Sequence, residues 1–253
     1  MDISIIFLLV AAGLVGGIIN AIAGGATLIT FPVMLMAGLP PVGANASNAV
    51  AILPGHLLAA FADREKLPPL DRGFCLSIIV SISGGIIGAL LLLALPDRLF
   101  LLPVPALIGF ATLLFAFAPQ LQRWTTRLRA GRPPSPVGGA SVLAIASIYG
   151  GFFGAGLGII LSAILSVADP GDIRRVKVLK NLLATAVSLA AVTIFIVQGR
   201  VHWPQVTAML LGALAGGYIG GMLVRVLPAQ TVRIVVIAAG TVMTVVYAQR
   251  YWF

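Results

Sequence analysis

The chain has 253 residues, 60% of them hydrophobic and only 9% charged, with a formal net charge of +9. A soluble domain usually carries about 25% charged residues, so a water-soluble fold is excluded. The basic excess does not indicate a nucleic-acid binder, because the Lys and Arg residues lie between apolar runs, where they set membrane topology. A single cysteine, Cys75, excludes an internal disulfide and any thiolate cluster. His56 and His202 form no metal-binding spacing, so neither metal nor cofactor is expected.

The first apolar run, Ile3–Ile19, follows Met-Asp with no positive n-region and no small-residue cleavage site. It is expected to be retained in the membrane. A continuous helix from Ile3 to Gly38 would be ~54 Å long, well beyond the ~30 Å of a bilayer core. The stretch breaks at Ala23-Gly24-Gly25, where glycine weakens helix and permits a turn. A short piece, about Thr27–Ala37, follows. The expectation is a hairpin whose second arm returns to the side of entry; the alternative is one long, kinked, tilted helix. Ala49–Ala62, Phe74–Leu95 and Leu99–Ala118 continue the first half.

Gln120–Gly139 holds Arg123, Arg127, Arg129 and Arg132, then Pro133-Pro134-Ser135-Pro136, and reads as a basic linker. Boundaries are expected at 1–119 for a first transmembrane repeat, 120–136 for the linker and 137–253 for a second repeat. The second half opens with a break at Gly154-Ala155-Gly156-Leu157-Gly158, followed by Ile159–Val167. Leu182–Val197 and Val206–Val224 are its next apolar runs.

The halves resemble each other. Ser83–Pro96 and Ala215–Pro228 share seven of fourteen aligned residues at an offset of 132, and offsets of 133 and 134 place Asn48 on Asn181 and Gly16-Gly17 on Gly150-Gly151. Charge decides between hairpin and kink. With two hairpins, thirteen of the sixteen Lys and Arg fall on one side, and only Arg98, Arg200 and Arg250 on the other. With single crossings the split is nine against seven. The positive-inside rule favours the hairpins. The fold class expected is therefore an all-α polytopic membrane protein of two inverted-topology repeats, each a broken-helix hairpin plus three transmembrane helices. Paired Gly-interrupted segments are where many secondary transporters place a midplane site.

The run from Gly16 through Gly24-Gly25-Ala26-Thr27 to Pro32 resembles the opening signature of the sulfite exporter TauE/SafE family, with Gly38 ending the short segment. Ala46-Ser47-Asn48 is similar to the small-polar stretch that opens the next helix in that family. Gly150–Gly158 and Lys180-Asn181 repeat the pattern. The resemblance spans essentially the whole chain; Ala26 stands where a third glycine is often seen. It implies movement of small sulfur-containing or organic anions such as sulfite, sulfoacetate or thiosulfate.

All seven acidic residues (Asp2, Asp63, Glu65, Asp71, Asp97, Asp169, Asp172) fall at predicted ends or loops. A cation carrier or carboxylate proton relay normally needs an acid within a span, so an anion or a neutral solute is favoured. Backbone N–H groups at helix N-termini hold anions. Gly24, Gly25, Gly156 and Gly158 precede the two short helices, and Thr27 and Ser162 add hydroxyls. Asn48 and Asn181 are candidate amide donors, and Lys180 is a candidate charge partner. The bland alternatives are small-residue helix packing for the glycines, interhelical hydrogen bonding for the asparagines and snorkelling for Lys180. Gly84-Gly85-Gly88 and Gly216-Gly217-Gly220 read as packing. His56 is a candidate proton carrier, or a neutral histidine bonded to a carbonyl. His202, Trp203, Trp124 and Trp252 read as interface anchors.

The expected function is a multi-pass inner-membrane secondary transporter of small anions, whose partners are that anion and the lipid bilayer, with no nucleic acid. The alternative is a drug/metabolite-type transporter of neutral or cationic metabolites. An enzyme would need a nucleophile–base set or clustered acids, and neither is present in the sequence pattern.

Overall fold

In lipid a backbone must satisfy its own hydrogen bonds, and apolar runs of this length do so as helices. The computed structural model describes residues 2–22, 24–61, 67–128, 136–168, 173–223 and 229–253, which are helices joined by short connections, with no strand among them. The expected topological roles of Arg64, Lys66, Arg129, Arg132 and Arg225, and of Ala23 in the first break, lie outside the described residues. Among the described residues, six helical segments are long and apolar enough to cross a bilayer: Ile3–Ile22, Arg72–Ala94, Asp97–Trp124, Arg175–Val197, Trp203–Leu223 and Gln230–Tyr251. The molecule is a multi-pass membrane protein.

Helix α1 (Ile3–Ile22) ends at Gly24, whose φ of +75° is left-handed. The Gly24 N–H donates to the carbonyls of Ile19 and Asn20, both at 3.1 Å, and so caps the helix. Helix α2 (Thr27–Met36) has ten residues, a length of ~15 Å or about half a bilayer core. Residues equally far from the break meet: a Cβ placed on Gly16 would come within 2.5 Å of the Thr30 methyl. The two arms therefore fold back on each other, as a hairpin does and a kinked rod does not. The second break repeats the device. Helix α7 (Pro136–Phe152) stops at Gly154 and Gly156, with φ of +76° and +78°, and helix α8 (Leu157–Ala168) follows.

Between these hairpins lie α3 (Pro41–Phe61), α4 (Arg72–Ala94), the short α5 (Asp97–Leu101) and α6 (Val104–Leu128). After the second hairpin come α9 (Ile173–Val197), α10 (Trp203–Leu223) and α11 (Ala229–Tyr251). Side chains set several starts. The Asp71 carboxylate accepts from the Phe74 N–H at 2.7 Å and caps α4. Asp97 accepts from the Val42 N–H at 3.0 Å, tying the start of α3 to α5. Helix α6 runs on to Leu128, into the stretch expected as the linker. Gln, Leu and Arg in that stretch are good helix formers, so charge moved residues 120–128 out of the apolar run without ending the helix.

The packing pairs the halves. Helix α1 lies along α10 and α4 along α7, while α3 meets α9 and α6 meets α11. Each contact maps onto another, or onto itself, when α1–α4 and α6 are exchanged for α7–α11. Missing side chains make the first two contacts close. A Cβ on Gly13 or Gly17 would strike the α10 backbone at Met209 or Ala213, and one on Gly88 the α7 backbone at Ile148. Without a hydrophobic drive between helices in lipid, such backbone approach is a main source of association. Helix α3 sits among α1, α2, α9 and α10, with Asn45, Ser47 and Asn48 of its first half buried. The large apolar side chains on the outside, such as Ile145, Leu211 and Leu113, are those a bilayer would cover.

Candidate substrate site

The two breaks converge. A Cβ on Gly158 would lie 3.9 Å from the Gly24 carbonyl oxygen and 4.0 Å from Lys180 Nζ. One on Gly24 would lie 3.9 Å from the same ammonium. Lys180, on the second turn of α9, thus places its charge between the two breaks, where α2 and α8 begin. Each helix N-terminus contributes roughly half an elementary positive charge, so three positive features face one region.

Beside them is a cavity of about 530 Å³ between α1, α3, α9 and α10. Its polar lining comes from Asn20, Lys177, Lys180, Asn181 and Tyr218, with the Gly24 backbone, and no carboxylate lines it among the described residues. The exposed Leu58 (59%) and Tyr218 (71%) mark its mouth. Both lie late in their helices, α3 and α10.

Of the residues expected from sequence, Gly24, Lys180 and Asn181 line this cavity, and Gly158 stands against Lys180 and Gly24. Gly25 is covered by the Phe115 ring, and a Cβ on Gly156 would come 3.2 Å from Leu114 Cδ1. One apolar helix, α6, therefore closes over both breaks. Asn48 is buried off the cavity wall, its amide 3.5 Å from the Thr27 hydroxyl at the start of α2. Asn48 Oδ1 has no hydrogen-bond partner among the described residues. The Ser162 hydroxyl donates to the Gly158 carbonyl at 2.7 Å, within its own helix. His56 is half-buried on α3 and does not line the cavity.

Other side chains hold the breaks in place. Tyr149 O–H donates to the Ala155 carbonyl at 2.6 Å, bracing the second break. Tyr247 O–H donates to the Pro32 carbonyl at 3.0 Å, bracing α2 from α11. The Asn45 amide donates to the Phe152 carbonyl at 3.0 Å, joining the two halves. The His202 N–H donates to Ser47 Oγ at 2.9 Å, and the Trp252 indole to the Leu102 carbonyl at 2.8 Å. The first of these bonds, made by the His202 backbone, ties the residue before α10 to α3.

Sequence reasoning missed Asn20, Lys177 and Tyr218 as wall residues. Two of them left a signal. Asn20 and Ser4 are the polar side chains of an otherwise apolar α1, and Tyr218 replaces Ile86 where the repeat is otherwise best matched. Lys177 left none, since one more lysine near a helix start looks like topology.

Residues 9–247 match the family model described as sulfite exporter TauE/SafE. A "Probable membrane transporter protein" of Haemophilus influenzae is 29% identical over all of this chain and 99% of its own length. The "Probable membrane transporter protein YfcA" of Escherichia coli K12 is 26% identical over 91% of this chain and 85% of its own. "Probable membrane transporter protein ORF9" of a Sinorhizobium species is 28% identical over 85% of this chain and 80% of its own. No solved structure matches the chain.

Proposed function

Because the chain belongs to the sulfite exporter TauE/SafE family, we propose that it is a secondary transporter moving small anions across the inner membrane. Sulfur-containing anions such as sulfite, thiosulfate or an organosulfonate are the favoured cargo. The observation that carries the reading is the Lys180 ammonium set between two glycine breaks, on a cavity wall that holds no carboxylate among the described residues. Two unit charges 4 Å apart attract by ~4 kcal/mol at the effective dielectric typical of a protein site. An anion there would also meet Asn20 and Asn181 as donors and the N-termini of α2 and α8. Asn48 enters as a support for α2 through Thr27.

In this reading the halves run in opposite directions, the basic face is cytoplasmic and the cavity faces inward. Rocking of one half against the other would then present the same site outward. His56 is retained as the proton carrier of a proton-coupled cycle.

The test is flux in proteoliposomes of sulfite, thiosulfate and sulfoacetate, with and without a pH gradient, for wild type and Lys180→Gln. Saturable flux of at least one anion, lost in the variant, is the expected result. No flux of any anion through folded wild-type protein would overturn it and redirect attention to neutral metabolites.

A further inference from the structure

Resting on that reading of the site, we infer that the preferred cargo is an organic anion with a short apolar body, not a bare inorganic oxyanion. The geometry of the cavity carries this. Along α9, Lys177 comes first and Lys180-Asn181 one turn further on. Gly55 on α3 abuts the Asn20 amide, and Gly17, about a turn before Asn20 on α1, abuts α10 at Ala213, so Ala51, Ile52 and Ala213 lie about a turn beyond the Asn20 amide. All of these line the cavity. Its polar groups therefore form a belt partway down, and the end beyond the belt is apolar.

An oxyanion of four heavy atoms held at Lys180 would leave most of the 530 Å³ empty or filled with water. Cavities of about 300–1,000 Å³ suit far larger ligands. Water beyond the belt would meet the side chains of Ile52 and Ala213, which offer it no hydrogen bonds. A ligand whose charged head sits at Lys180, Asn181 and Asn20 and whose carbon chain extends past them satisfies both zones. Each methylene buried in the apolar end should raise affinity by about fourfold, until the end is full.

The test is binding of a series of linear alkanesulfonates, from methanesulfonate to octanesulfonate, to the full chain in nanodiscs by titration calorimetry, with sulfite and hexylammonium as references. The expected result is affinity that climbs about fourfold per carbon, reaches an optimum and then falls, with no hexylammonium binding. Ile52→Ala should move the optimum one to two carbons longer. Ala51→Leu should move it shorter and lower the ratio of pentanesulfonate to methanesulfonate affinity. Should Ala51→Leu fail to fold, the gentler Ile52→Ala still decides. Sulfite binding as tightly as any sulfonate, or an optimum unmoved by Ile52→Ala, would overturn the apolar-body inference while leaving the anion site standing. No binding of any anion by folded protein would overturn both.

Discussion

Gly85 and Gly217 hold the same place in the two halves, at the offset of 132, yet they do different work. A Cβ on Gly85 would fall 2.6 Å from the Val187 carbonyl oxygen, so α4 rests directly on the backbone of α9. Gly217 has nothing within 4 Å of that position, and it faces the cavity. Val187 corresponds to Pro54 at an offset of 133, and Pro54 also lines the cavity. One cleft is closed by glycine packing, and its counterpart stands open. The lesson is that a shared glycine records the capacity for close approach, and the packing around it decides whether that capacity is used.

The sharpest way to break the comparison is to substitute both positions. Gly85→Leu should abolish recovery of folded, monodisperse protein, because the backbone it would strike cannot move aside and overpacking alone costs roughly 1–3 kcal/mol or more. Gly217→Leu should fold with a near-wild-type melting temperature and partly fill the cavity, seen as reduced anion binding. Equal loss of fold in both variants, read by size-exclusion chromatography, would erase the distinction.

Next in size is the charge at the open cleft. Lys180→Gln should weaken anion binding by about 10–100-fold, the range of a hydrogen-bonded charge worth 1.5–3 kcal/mol. Lys177→Gln, at the exposed mouth, should weaken it only a few-fold, since exposed charges contribute about 0–1 kcal/mol. Titration calorimetry across salt concentrations would separate them, the Lys177 effect vanishing first. A smaller pair tests the braces of the two breaks. Tyr149→Phe and Tyr247→Phe each remove one hydrogen bond to a carbonyl and should cost ~1 kcal/mol of stability, measurable by thermal melting. Ser162→Ala should change stability by less than ~0.5 kcal/mol, because its hydroxyl only back-bonds its own helix.

Much of the fold was legible because it rests on local causes. Gly24 and Gly156 break helices through their own left-handed dihedrals, and the lengths of the apolar runs bound the crossings. That 120–128 continues α6 was not legible, because charge reports exposure and not helix termination. Of the candidate cavity's lining, Gly24, Lys180 and Asn181 were legible as polar or conformationally special residues next to a break. Lys177 was not, since its position on the wall depends on how α9 turns against its neighbours.

By itself, then, the sequence determined a membrane protein in two related halves, each broken by glycine and carrying its acids at predicted ends or in loops. Those properties follow from composition, helix length and backbone dihedrals, which act within a few residues. Only the tertiary structure decided that Lys180 lies between the two breaks and that Asn181 lines the cavity while its repeat partner Asn48 bonds Thr27. It also decided which of two equivalent clefts is open. Such choices depend on contacts between helices far apart in sequence, where two nearly equal arrangements of the same residues compete and packing selects one.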